Sequence, residues 1–128
     1  MNTNPSVERG SLITSFQAAW AGLALAIRGE RNLKIHVVVA MIALGLAIWL
    51  RFSASEIVLV LLTIGLVVVA EVMNTAVETT VNLCADEQPS DVARRAKDLA
   101  AGAVLAGALI AAAIGAVLYI PAIWERVK

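Results

Sequence analysis

The 128-residue chain has one cysteine, one histidine and no excess charge of either sign, and each scarcity closes off a class of function. A lone Cys84 can form neither an internal disulfide nor a cysteine-based zinc site, and is expected to be a small apolar filler near a helix end. Ten basic residues balance ten acidic ones, so the charge does not point to nucleic acid. No G-x-x-x-x-G-K-[ST] loop and no protein-kinase motif set is present, so nucleotide chemistry, if any, is built differently. The opening "MNTNPSVERGS" lacks the apolar core of a signal peptide, and no cleavage is expected. Charged residues are themselves scarce, at 16%, whereas hydrophobic residues reach 60% and mean hydropathy is +0.84. That balance marks an integral membrane protein. A chain this short can build three or four spanning helices but encloses little alone, so a homo-oligomer is expected.

Three stretches are expected to span. The first is "IHVVVAMIALGLAIWL", residues 35–50, bracketed by Lys34 and Arg51. It rises about 24 Å against a hydrocarbon core of roughly 30 Å, and the bracketing cations can snorkel to the surfaces. The second, about 57–83, follows Ser53 and Glu56, which have capping-box spacing. The third, 99–123, carries no charge and has Pro121 near its end. Its stripe of Ala103, Gly107, Ala111 and Gly115 permits close helix approach, within or between subunits. Ahead of these, Leu12, Ile13, Phe16, Trp20, Leu23 and Ile27 recur at three- and four-residue spacing. We read an amphipathic surface helix over about 12–28, because Ser15 and Gln17 interrupt it and the charged segment 28–34 follows at once. The expected architecture is therefore one all-α membrane domain over residues 1–128, a surface helix plus three transmembrane helices.

Orientation follows from the cations beside the spans. Arg9, Arg28, Arg31, Lys34, Arg94, Arg95 and Lys97 fall on one side, and Arg51, Arg126 and Lys128 on the other. This places the N-terminus and the loop around residues 84–98 in the cytoplasm of a plasma or inner membrane. Trp49 and Trp124 then share the outer interface, and Trp20 belongs to the inner one.

The stretch "EVMNTAVE", residues 71–78, breaks the pattern, because two carboxylates follow fourteen uncharged positions beginning at Ile57. Measured from Ile57, Glu71 lies about 21 Å down and Glu78 about 31 Å down. Glu71 is thus inside lipid near its inner boundary, and Glu78 is at the water edge. Seven residues make nearly two turns, so both acids share a face with Asn74 and Thr75 between them. A carboxylate in lipid costs roughly 2.5 to 3.5 kcal/mol and requires a partner or a cavity. The structural alternative is an acid paired with Lys97 or Arg31. A ridge running from lipid into water suits a reaction that joins a membrane substrate to a soluble one. Glu71 is placed to deprotonate a lipid hydroxyl. Glu78 is one candidate for a magnesium ion carried with phosphates, and Glu30, in "RGERNLKIH", is the other. Arg94, Arg95 and Lys97 can steady phosphates on the same side.

The segments "ERNLKIH" (30–36), "EVMNTAVE" (71–78) and "ARRAKDLAAGAVL" (93–105), in this order and spacing, resemble the small prokaryotic diacylglycerol and undecaprenol kinases. The resemblance covers about residues 12–120. It implies a homotrimer in which each chain has one surface helix and three spans, and which transfers the γ-phosphate of ATP to a lipid alcohol. It implies Glu71 as the base, Glu30 and Glu78 as magnesium ligands, and Asn74, Glu87, Lys97 and Asp98, with those two acids, as groups ordering the nucleotide. Trp20 and Glu71 fall on the lipid-substrate side. "ERNLKIH" and "VVVAEVMNTAVE" look more like the undecaprenol kinase branch than the diacylglycerol kinase branch. The chain departs from the family at Asn82, usually aspartate, and at Gln88, where histidine is common before the proline. His36 is expected to be an interfacial histidine hydrogen-bonded to a neighbour, not a metal ligand. The rival reading is a small oligomeric transporter, in which one intramembrane acid binds protons or cations and no magnesium site is needed.

Overall fold

The computed structural model describes residues 11–84 and 90–128, and every regular element in them is a helix: α1 (Leu12–Gly29), α2 (Arg31–Trp49), α3 (Ala54–Cys84) and α4 (Asp91–Val127). Ser11 caps α1, its hydroxyl accepting from Thr14 N–H at 3.4 Å. Leu12 to Trp20 are exposed, so the first half of α1 keeps its apolar side chains free of the rest of the chain. The second half turns Leu23, Ala26 and Ile27 toward α2 and α3. Only Glu30, in extended backbone, separates α1 from α2, and its N–H still closes on Ala26 O at 2.9 Å.

The last three helices are each long and apolar enough to cross a membrane. At 1.5 Å per residue α2 is about 28 Å long, α3 about 46 Å and α4 about 55 Å, so α3 and α4 exceed a roughly 30 Å hydrocarbon core. Successive spans run antiparallel. At one end His36 meets Glu71 and Lys97 meets Asn82, whereas at the other Tyr119 meets Ala43 and the Arg126 guanidinium lies 5.1 Å over the Trp49 ring. All the acids and amides of the "EVMNTAVE" segment therefore belong to the first end.

The α2–α3 turn closes as a Schellman motif. Phe52 N–H reaches Ala47 O at 3.0 Å and Arg51 N–H reaches Ile48 O at 3.0 Å, with Arg51 in the left-handed region (φ 59°) where glycine is usual. The capping box expected at Ser53 and Glu56 forms at once afterwards. Ser53 N–H and Oγ–H both donate to Glu56 Oε2, at 2.7 and 2.6 Å, and Glu56 N–H returns to Ser53 Oγ at 3.4 Å. One feature differs from the sequence reading. Residues 91–98, expected within a loop, are the first turns of α4, because Ser90 Oγ caps Ala93 N–H at 3.0 Å and the alanine-rich run that follows favours helix. Pro121 stands near the end of α4, as the sequence reading placed it. It removes one backbone donor, yet the helix continues to Val127, where Arg126 is held over Trp49.

Within the described residues the buried side chains are few: Leu33, Ala47, Val60, Val67 and Glu71. Gly107 joins them where α4 packs on α3, and a methyl group there would stand 3.8 Å from Leu66 Cγ and 3.9 Å from Val67 Cγ2. The small-residue stripe thus serves packing inside one chain at Gly107. At Gly115, farther along it, nothing lies within reach of an added Cβ, and the stripe faces open space.

Candidate active site

A carboxylate is the one charged group among the buried side chains of the described residues, and its partner comes from another helix. Glu71 is 4% exposed, and its Oε1 lies 3.1 Å from His36 Nε2 on α2. The partners anticipated from charge were Lys97 and Arg31. Lys97 instead donates to Asn82 Oδ1 at 2.6 Å, closing the α3–α4 junction, and Arg31 is exposed at the start of α2. Asn82 therefore engages the lysine as a neutral acceptor.

One and two turns beyond Glu71 on the same face stand Asn74 and Glu78, joined by a 3.1 Å bond from Asn74 Nδ2 to Glu78 Oε1. Asn74 Oδ1 is buried without a partner among the described residues. A buried carbonyl oxygen beside a carboxylate is an all-oxygen donor set, which suits a hard cation such as magnesium. No group of three or more His, Cys, Asp or Glu side chains gathers around a point among the described residues. Magnesium does not require one when phosphate oxygens complete its shell. Glu30 sits half-buried at the α1–α2 junction, and its carboxylate makes no capping bond. Thr79 and Thr80 return their hydroxyls to Thr75 O and Ala76 O within α3, so they add no free donor to the ridge.

A groove of about 360 Å³ runs between α2, α3 and α4, with His36 at one end and Tyr119 at the other. The Tyr119 hydroxyl donates to Ala43 O at 2.7 Å and its ring packs 4.8 Å from that of Phe52, so α2 and α4 touch there and part toward His36. Small side chains on α4, Ala111 and Gly115, keep the groove open. Thr63 lines it with its hydroxyl bonded back to Leu59 O and Val60 O, leaving an apolar wall. The acid–imidazole pair thus stands where an apolar furrow ends.

The remaining site candidates are not gathered around Glu71. Trp20 is 66% exposed on α1, beside Phe16 and Gln17 at a shallow hollow separate from the groove. Asp98 is exposed on α4, near Arg95 at another shallow hollow. Glu87 and Gln88 lie outside the described residues. The residue that sequence reasoning left aside is His36, expected to bond a neighbour but not recognised as the partner of Glu71. A depth count held the signal, since His36 is two residues into its span and Glu71 lies near the same boundary on the next helix.

Comparison with known proteins identifies the family. The model of the family described as prokaryotic diacylglycerol kinase matches residues 17–119. A diacylglycerol kinase of Synechocystis sp. is 37% identical over 111 residues, covering 87% of this chain and 63% of that protein, so the chain spans less than two thirds of this relative's length. An undecaprenol kinase of Bacillus subtilis is 35% identical over 114 residues, covering 89% of this chain and 92% of that protein. A diacylglycerol kinase of Escherichia coli is 31% identical over 93 residues, covering 73% of this chain and 75% of that protein. With most of its length matched, its spans in place and the motif acids on one helix face, this chain belongs to the prokaryotic diacylglycerol kinase family, a family of lipid kinases by the names its members carry.

Proposed function

We propose that this chain is an ATP- and magnesium-dependent kinase of a membrane lipid alcohol, with undecaprenol the favoured substrate and diacylglycerol the next. The observation that carries the reading is Glu71, a buried carboxylate bonded to the histidine that ends an apolar groove, and two turns from Glu78 on the same helix face. The free Glu71 oxygen takes the proton of the lipid hydroxyl as the hydroxyl oxygen bonds the γ-phosphorus, and the bond from that phosphorus to the ADP oxygen breaks. Glu30 and Glu78, with the Asn74 carbonyl, would hold the magnesium, which would supply charge neutralisation on the phosphates. Lys97 and Asp98 order the nucleotide, together with Glu87, and Arg94 and Arg95 add positive charge beside it. Trp20 flanks the lipid headgroup. The protein is a multi-pass plasma- or inner-membrane enzyme with a cytoplasmic N-terminus, assembled as a homotrimer.

The named relatives divide between two alcohols at similar identity. The preference for undecaprenol rests on "ERNLKIH" and "VVVAEVMNTAVE". Membership of a kinase family does not favour the transporter alternative. The test supplies purified protein in lipid micelles with labelled ATP, magnesium and either alcohol. Transfer to lipid is expected, the ratio of products names the substrate, and no transfer to either would refute the reading.

A further inference from the structure

The single histidine of the chain is spent on the single buried carboxylate of the described residues. We infer that His36 is a positioning residue for Glu71: its Nε2–H donates to Oε1 and aims the second carboxylate oxygen at the lipid hydroxyl. This rests on the proposal that Glu71 is the base.

Three observations support it. First, the bond joins two helices across 35 residues of sequence, so it ties the carboxylate to a separate rigid element. The terminal torsion of a glutamate is broad, and without an anchor the two oxygens exchange places easily. A base aimed in advance spares that loss of freedom at the moment of reaction. Second, α2 is locked in rotation at this level. Leu33 is fully buried one turn before His36, so packing presents the imidazole toward α3. Third, the cations that could have taken the place are engaged or turned away, Lys97 on Asn82 and Arg31 at the exposed start of α2. A permanent cation against the carboxylate would stabilise its charged form and weaken it as a base, whereas imidazole donates while neutral. His36 also lines the groove while Glu71 is almost fully covered, so the imidazole stands at the approach to the carboxylate.

The test compares three substitutions of His36 in the full-length protein in micelles. His36→Gln keeps an N–H donor where Nε2 stood, whereas His36→Ala removes it and His36→Asn is too short to reach. Ala and Asn are expected to lower kcat about ten- to hundredfold, the range for losing a group that orients a reacting one. KM for magnesium-ATP should stay at the parental value, and Gln should retain most of the parental kcat. Two results would overturn the assignment: parental turnover in both Ala and Asn variants, or a Gln variant as impaired as Ala, which would make the imidazole itself a proton carrier. A cycle with Glu71→Gln separates this inference from the reading beneath it. If His36 acts only through Glu71, adding His36→Ala to Glu71→Gln lowers turnover no further, and a second independent loss contradicts the inference. Parental turnover in Glu71→Gln alone would remove the base assignment, and this inference with it.

Discussion

Glu71 and Glu78, the proposed base and the proposed magnesium ligand, are the same residue type on one face of α3, yet their surroundings differ. Glu71 is enclosed and held by an imidazole, while Glu78 is half-buried and held by an amide whose own oxygen has no partner among the described residues. Glu71→Gln keeps the size and removes the basicity, so phosphoryl transfer should fall by about a hundred- to ten-thousandfold, as for a lost general base. Nucleotide binding should survive. Glu78→Gln should weaken magnesium-dependent ATP binding itself, and raised magnesium should recover part of it. Measuring nucleotide affinity and lipid-dependent turnover for both variants in the same micelles decides the matter. Abolished ATP binding in Glu71→Gln alongside normal binding in Glu78→Gln would reverse the two roles. The acids were legible from their position in an apolar run. The histidine was legible only as a polar residue seeking some neighbour, because which neighbour depends on how α2 is rotated.

At the scale of an element, the turn between α2 and α3 concentrates local structure in four residues. Its Schellman closure forces Arg51 into a left-handed backbone, a conformation that costs a non-glycine residue roughly 1 to 2 kcal/mol. The Ser53–Glu56 box opposes that cost by capping α3. Ser53→Ala should therefore lower stability by about 1 kcal/mol, read as an earlier unfolding midpoint in micelles with turnover per folded molecule unchanged. The α3–α4 contact makes a different demand. Gly107→Ala should be accepted, since the added methyl meets Leu66 and Val67 at ordinary contact distance. Gly107→Leu has nowhere to go without parting the helices and should cost on the order of 1 to 3 kcal/mol, measured in the same unfolding assay. A Leu variant as stable as the parent would mean that this approach is looser than its distances indicate.

For the whole molecule, so small a buried core and so open a groove leave the site short of walls that a single chain can supply. Whether chains of the proposed homotrimer share one site is tested by mixing. A Glu71→Gln chain combined with a Glu30→Ala chain should regain part of the parental activity, because some interfaces would carry both intact residues. Mixed oligomers that demonstrably form and show no activity would locate the whole site within one chain.

Local chemistry along the chain determined the helices. Hydropathy over twenty or so residues marks a span because every backbone group in lipid must be bonded within its own helix, and capping residues mark ends because they bond their own backbone. The shared face of Glu71, Asn74 and Glu78 follows from helical period alone. Where the sequence reading placed a loop, at residues 91–98, the structure extended the helix through the Ser90 cap. The pairings between helices were decided only by the tertiary structure. His36 with Glu71, Lys97 with Asn82 and Tyr119 with Ala43 depend on the rotation of each helix about its axis and its offset along its neighbour. Those two quantities are set by contacts such as Leu33 and Gly107 seating against facing helices, between residues far apart in the chain, and no periodicity within one helix encodes them.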